Sequence, residues 1–82
     1  MRNRLLLHSI YNRKTKQEVL KHKSKKICSL SFENDFTKMI IQYEEGETLK
    51  YSEKVEDIEE TDYGVWVTTT NKIWRFDELY VN

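Results

Sequence analysis

The clearest pattern in the chain is an alternation of apolar and polar residues through positions 38–52, interrupted by a glycine. Met39, Ile41 and Tyr43 occupy every second position before the loop Glu44-Glu45-Gly46. A three-residue loop with Gly46 in the left-handed conformation pairs Tyr43 with Glu47, Ile41 with Leu49 and Met39 with Tyr51. A two-residue turn would instead place a lysine opposite Ile41, so the pattern predicts a hairpin with the three-residue loop.

A second hairpin is predicted over residues 65–76, which are dense in β-branched and aromatic side chains. A turn at Asn71-Lys72, with Asn71 at the positive φ of a type I′ turn, pairs Val67 with Phe76 and Thr69 with Trp74 on one face. The opposite face then holds Trp66, Thr68, Arg75 and Asp77.

Two further strands are indicated upstream. Cys28, Leu30 and Phe32 alternate with polar residues over positions 26–33, and Asn34-Asp35 would turn this strand into one that begins near Phe36. Residues 5–11 also predict a strand, which would be covered on both faces because both carry apolar side chains. One face would hold Leu5, Leu7 and Tyr11, and the other Leu6, His8 and Ile10.

Two segments leave alternatives open. Residues 14–23 could form a short basic helix or the second arm of an N-terminal hairpin. The pattern favours the hairpin, with Glu18-Val19-Leu20 in the returning strand. Residues 53–62 have only Val55 and Ile58 as apolar anchors, a spacing that suits one helical turn as well as a loop. We therefore expect a single domain over residues 1–82 that is mainly β: a small antiparallel sheet, or an SH3-like or Sm-like partly open barrel, of five to seven short strands with little helix.

Composition narrows the class of protein. The 82 residues include ten aromatic side chains but no Pro and no Ala, a bias typical of AT-rich coding sequences such as those of low-GC bacteria and their phages. Cys28 is the only cysteine, so no internal disulfide can form and a cytoplasmic location is expected. The apolar run at Leu5-Leu6-Leu7 is too short for a signal peptide or a membrane span, so we expect no membrane association.

Charge is sorted by position. Residues 1–26 carry nine Lys/Arg and one acidic residue, whereas residues 27–82 carry five Lys/Arg and thirteen Asp/Glu. The two parts therefore have net charges of +8 and −8. Such asymmetry governs which partners the surfaces attract and says nothing of catalysis.

The inventory of reactive residues argues against an enzyme. His8, His22 and Cys28 lack the paired spacings of a zinc site, and Cys28 shares an apolar strand face. Adjacent acids in turns point to solvent, and two isolated glycines cannot build a phosphate-binding loop. We expect no catalytic residues, no metal and no cofactor.

The leading functional hypothesis is therefore docking to another protein. In the predicted register Trp66 lies opposite Asp77 and diagonal to Arg75, where it is either a surface aromatic capped by the arginine or the anchor of a binding patch. The alternative is that Trp66 belongs to the core and Val67 faces out. Together with Thr68, the residues Trp66, Arg75 and Asp77 form the predicted protein-binding site. We expect a non-enzymatic accessory protein, encoded by a phage or mobile element, that acts by binding a host or viral protein, with or without inhibiting it.

Nucleic-acid binding is the alternative hypothesis. The basic residues that could follow a phosphate backbone are Arg13, Lys14, Lys16, Lys21, Lys23, Lys25 and Lys26. The acidic remainder of the chain would repel nucleic acid, and it could itself imitate a phosphate backbone. A third possibility is a homo-oligomer in which the basic segment of one copy meets the acidic region of another.

Overall fold

The computed structural model describes residues 2–21 and 27–78. They form eight β-strands: β1 Arg2–Asn12, β2 Glu18–Lys21, β3 Ile27–Glu33, β4 Lys38–Tyr43, β5 Thr48–Tyr51, β6 Val55–Glu60, β7 Gly64–Thr69 and β8 Lys72–Glu78. The expected mainly-β fold is confirmed. Its eight strands exceed the five to seven expected. Within the described ranges, no helix is long and apolar enough to cross a membrane.

All eight strands belong to one antiparallel sheet. Seven of them follow the order β5-β4-β3-β1-β8-β7-β6, and β2 pairs with β1 outside this order. The long strand β1 is its centre. One edge of β1 pairs with β8, and the other edge pairs with both β3 and β2. Opposite Ser9 lies Lys21 of β2, and opposite Leu6 lies Ile27 of β3. The sheet is not closed, so β5 and β6 are its two edges.

One face of the sheet encloses a single core. Its buried members are Leu5, Leu7, Ile10, Cys28, Leu30, Met39, Ile41, Tyr43, Val55, Val65, Val67, Trp74 and Phe76. The rings of Tyr51 on β5 and Trp74 on β8 lie 4.8 Å apart, although three strands separate β5 from β8 in the sheet order. Because such a contact requires strong curvature, the sheet is curled into a half-open barrel.

The β4–β5 hairpin follows its predicted register. Met39 pairs with Tyr51 and Ile41 with Leu49. Gly46 has a φ of 99°, in the left-handed region that non-glycine residues rarely adopt. Its N–H donates to the carbonyl of Tyr43 at 3.0 Å, which closes the three-residue loop.

The predicted register of the β7–β8 hairpin is wrong by two residues. Val67 pairs with Trp74 and Val65 with Phe76, so the hairpin turns at residues 70–71. Asn71 is not among the residues with positive φ, and the predicted type I′ turn at Asn71-Lys72 is therefore also wrong. A shift of two residues leaves every side chain on its predicted face, because the side-chain period of a strand is two.

The predicted faces of β1 are partly wrong because the strand contains a β-bulge. Leu7 pairs with Phe76, and two residues further on Ser9 pairs with Arg75, so His8 is the extra residue. A bulge reverses the alternation of faces beyond it. Ile10 accordingly lies in the core with Leu5 and Leu7, and Tyr11 lies on the outer face.

Three other segments test the remaining predictions. The hairpin arm through Glu18-Val19-Leu20 is confirmed as β2, paired with β1. Residues 55–60 form strand β6 rather than a helical turn or a loop, because their backbone pairs with β7. Phe36 belongs to a turn, and β4 begins only at Lys38, so the predicted strand start near Phe36 is wrong.

Candidate protein-binding surface

The outer face of β1, β7 and β8 carries a cluster that we call the outer-face patch. Its members are half-buried side chains on the side opposite the core: Tyr11, Trp66, Thr68, Ile73, Arg75 and Asp77. They share this face because Tyr11 pairs with Ile73, Ile73 with Thr68, and Arg75 with Trp66. The structure thus brings together the four residues of the predicted protein-binding site.

Trp66 is the centre of the patch. Its ring stacks on that of Tyr11, with the ring centroids 6.2 Å apart and the planes at 16°. The guanidinium carbon of Arg75 lies 5.5 Å from the Trp66 centroid, within the range of a cation-π contact. Because Val67 is fully buried on the other face, Trp66 lies on the outer face and is not a core residue.

Arg75 holds the patch together. It lies directly opposite Trp66, and the prediction that Asp77 would occupy that position is wrong because of the register shift. The Arg75 Nε donates to Asp77 Oδ1 at 3.0 Å. The guanidinium therefore contacts an aromatic ring and a carboxylate at once, which restricts the conformations open to all three side chains.

A shallow pocket of about 210 Å³ adjoins the patch at the β6–β7 turn, lined in part by Trp66, Arg75 and Asp77. The Thr61 hydroxyl accepts the N–H groups of Tyr63 at 3.2 Å and Gly64 at 3.1 Å, which fixes the turn and leaves Tyr63 78% exposed. A Cβ at Gly64 would collide with the Phe76 carbonyl oxygen. Glycine is therefore required for β7 and β8 to approach each other here.

Sequence reasoning missed Tyr11 and Ile73 as members of the patch. Tyr11 was assigned to the face of Leu5 and Leu7 because the alternation was followed through His8 without a bulge. The run Leu5-Leu6-Leu7-His8-Ser9-Ile10 does contain a signal, since its alternation breaks in the middle of a strand, which is typical of a bulge. Ile73 was missed because the predicted register sets it opposite Thr70 and not opposite Thr68, its partner in the structure.

The basic residues of the alternative hypothesis do not form one described surface. Arg13 pairs with Glu56, and its Nη1 donates to the carbonyl of Thr69 at 3.3 Å. Lys14 and Lys16 are exposed in the β1–β2 turn. Lys21 ends β2 with its side chain outside the described atoms. Three others, Lys23, Lys25 and Lys26, lie outside the described residues.

Exposed carboxylates lie beside the outer-face patch. Asp57 and Glu59 on the edge strand β6 lie opposite Thr68 and Trp66, and both are exposed. Arg4 of the basic third also pairs with Glu44 at 3.4 Å. Carboxylates therefore flank the aromatic rings, where they would repel a phosphate backbone.

The reactive groups of the core are packed rather than activated. Cys28 is 1% exposed, its Sγ donates to the Leu5 carbonyl at 3.3 Å, and burial raises the pKa of the thiol to about 11. A reactive cysteine needs the opposite shift. His8 contacts the hydroxyl of the buried Ser9 through Nδ1 at 2.9 Å. Among the described residues, no three His, Cys, Asp or Glu side chains form a group that could hold a metal ion.

Comparison of the chain with protein-family models, with curated proteins and with solved structures yields no match.

Proposed function

We propose that this domain acts by binding another protein through the outer-face patch. The observation that carries the proposal is the contact of Trp66 with both Tyr11 and Arg75 on a face outside the core. Trp, Tyr and Arg are the residue types most enriched at the energetic centres of protein interfaces. Here one of each is held in a fixed arrangement, with Thr68 and Asp77 beside them.

The fixed arrangement supports binding because the side chains lose little conformational freedom on association. Trp66 and Tyr11 are rigid and amphipathic, and the ion pair with Asp77 restrains Arg75 before a partner arrives. Prior restraint lowers the entropic cost of forming an interface. The half-buried rings still offer apolar area that a partner can cover.

The finer features of the proposal follow from the sequence. We take the partner to be a host or phage protein whose activity is inhibited by docking, in the cytoplasm, without catalysis or a cofactor on this chain. The flanking carboxylates steer approach and orientation rather than supply most of the affinity.

Quantitative affinity capture tests this proposal. The wild-type chain, Trp66→Ala and the control Gln42→Ala, which alters an exposed residue on β4, are each immobilised in lysate of the source cells. We expect at least one protein to be retained by the wild type and by Gln42→Ala but lost with Trp66→Ala, with purified affinity at least about thirtyfold weaker. Identical retention by all three chains, or retention by none, would refute the proposal.

A further inference from the structure

A second surface lies between the β3–β4 turn and β6, and we call it the edge groove. It has a volume of about 370 Å³ and is lined by Asp35, Phe36, Val55, Glu56, Asp57 and Ile58. Phe36 is 51% exposed and Ile58 36% exposed, and both are among the few large hydrophobic side chains left exposed in the described residues. Exposed apolar side chains that share one groove are typical of binding sites.

The turn that forms one wall of the groove is strained. Asn34, Asp35 and Phe36 have φ values of 51°, 54° and 65°, three consecutive non-glycine residues in the left-handed region. The N–H of Val55 donates to the Phe36 carbonyl at 2.8 Å, which fixes this turn against the start of β6. Strained backbone that the surrounding structure holds in place is concentrated at ligand-binding sites.

The other wall is the outer edge of β6 around Ile58, beyond the hydrogen bond of Val55 to the turn. β6 ends the strand order, and in the described part of the chain its only strand partner is β7. An edge strand presents unpaired N–H and C=O groups to an incoming strand. Ile58 lies opposite the buried Val67, on the core side, whereas Asp57 and Glu59 lie on the outer side. Glu60, opposite the buried Val65, shares the side of Ile58. An added strand would therefore meet Ile58 next to one carboxylate on the core side and two carboxylates on the outer side.

We propose that the edge groove binds an extended, basic segment of another protein, which adds to β6 as a further strand of the sheet. Its backbone pairs with the free edge of β6, one apolar side chain lies between Phe36 and Ile58, and the flanking Lys or Arg residues lie beside Asp57 and Glu59. Strand addition of this kind takes its affinity from main-chain hydrogen bonds and its specificity from alternate side chains. The carboxylates of Asp57 and Glu59 also lie beside the outer-face patch, but this inference needs none of the residues of the patch.

The charges on β6 argue against a second copy of this chain that binds to the groove through its own β6 edge. Two β6 strands paired edge to edge would bring Asp57 and Glu59 of one copy against those of the other, and like charges across a strand pair are destabilising. A segment of alternating basic and apolar residues can place its basic side chains beside the carboxylates and an apolar side chain in the groove.

The test uses the full-length protein and an end-capped, fluorescein-labelled peptide Lys-Val-Lys-Val-Lys. We expect saturable binding by fluorescence anisotropy at low salt, and slower amide hydrogen exchange on β6 centred on Ile58. Phe36→Ala is expected to weaken binding about tenfold. Glu59→Gln is expected to weaken it about fivefold, whereas Glu47→Gln, a matched change on the β4–β5 loop, leaves it unchanged.

Three results would overturn the inference: no saturable binding, equal binding of Glu-Val-Glu-Val-Glu, or exchange protection elsewhere than β6. The same peptide with N-methylated valines is expected not to bind, since it cannot donate to the β6 edge. Sedimentation of the free protein is expected to show a monomer, and dimerisation abolished by Ile58→Lys would assign the groove to a second copy instead.

Arg75→Gln, which alters only the outer-face patch, is expected to bind the peptide as the wild type does, so failure here and failure of the proposed function can be told apart.

Discussion

The two tryptophans lie on the same hairpin but on opposite faces, and their surroundings differ. Trp74 is 1% exposed, packs against Tyr51, and donates from Nε1 to the Thr69 hydroxyl at 3.2 Å. Trp66 is half-buried on the outer face, between Tyr11 and Arg75. Trp74 thus has contacts on every side together with a partner for its polar atom, whereas Trp66 retains an open side.

The difference teaches how an 82-residue chain divides its aromatic side chains between the core and the outer face. A domain this small buries a limited core, so a large ring left outside that core forgoes stabilisation. Trp66 has such a position, and its contacts with Tyr11 and Arg75 restrain it without covering it. We infer that Trp74 serves mainly stability and Trp66 mainly recognition, and the following predictions test that division.

The largest effect is expected from truncating the two rings in turn. Trp74→Ala should lower the free energy of unfolding by about 3–5 kcal/mol, because it empties the centre of the core. Trp66→Ala should cost about 1 kcal/mol, since its ring is only partly covered. Urea unfolding followed by circular dichroism measures both, with Trp74→Phe as the milder variant if Trp74→Ala does not fold. Equal losses from the two alanine variants would contradict the division.

Alkaline pH is expected to lower the free energy of unfolding through the ionisation of groups buried in the core. Burial raises the pKa of the Cys28 thiol from 9.0 to about 11, so the folded state disfavours the thiolate. Stability from this group is complete below pH 9 and is lost as the pH rises towards 11, a change of roughly 2–3 kcal/mol. Burial also raises the pKa of Tyr43 and of Tyr51, which adds to the slope.

The control for this titration is Cys28→Ala. Its stability should fall less steeply between pH 9 and pH 11 than that of the wild type, although its absolute stability is lower because of the cavity. Chemical unfolding at a series of pH values gives both slopes. Parallel slopes would show that the buried thiol does not contribute.

The neighbouring residues Thr68 and Thr69 allow a matched pair of substitutions, with an expected effect of intermediate size. Thr69→Val removes the acceptor of the buried Trp74 N–H and should cost about 1–3 kcal/mol, because that donor would be left unsatisfied. Thr68→Val makes the same chemical change on the outer face and should alter stability by no more than about 0.5 kcal/mol. Thermal unfolding of the two variants compares the two faces of the sheet directly. A larger loss of stability from Thr68→Val than from Thr69→Val would show that the outer face contributes more to stability.

The smallest effect concerns the contact between Arg75 and Trp66. A double-mutant cycle of Arg75→Gln and Trp66→Leu should give a coupling of about 0.5–1 kcal/mol, the range of a partly exposed cation-π contact. A coupling well above this range would make the patch a structural element. A coupling of zero would remove the restraint on which the binding proposal depends.

The sequence predicted those elements in which local pattern and turn chemistry agree. The β4–β5 hairpin was predictable because Gly46 and the alternation both require the same register. The β7–β8 faces were predictable but the register was not, since a shift of two residues preserves the alternation. The bulge at His8 depends on pairing with β8, which is remote in the sequence, whereas β6 has little apolar pattern of its own and forms by pairing with the adjacent strand β7. The four residues of the predicted site therefore share one face as predicted, but Tyr11 and Ile73 were not predicted to lie with them.

Single-tryptophan variants test the central claim most directly. Trp74→Phe leaves Trp66 as the sole tryptophan, and Trp66→Phe leaves Trp74. On addition of a protein recovered by the affinity capture, we predict a blue shift and reduced acrylamide quenching of the Trp66 emission, with the Trp74 emission unchanged. A response from Trp74 alone, or equal responses from both rings, would contradict the assignment of the outer face to binding.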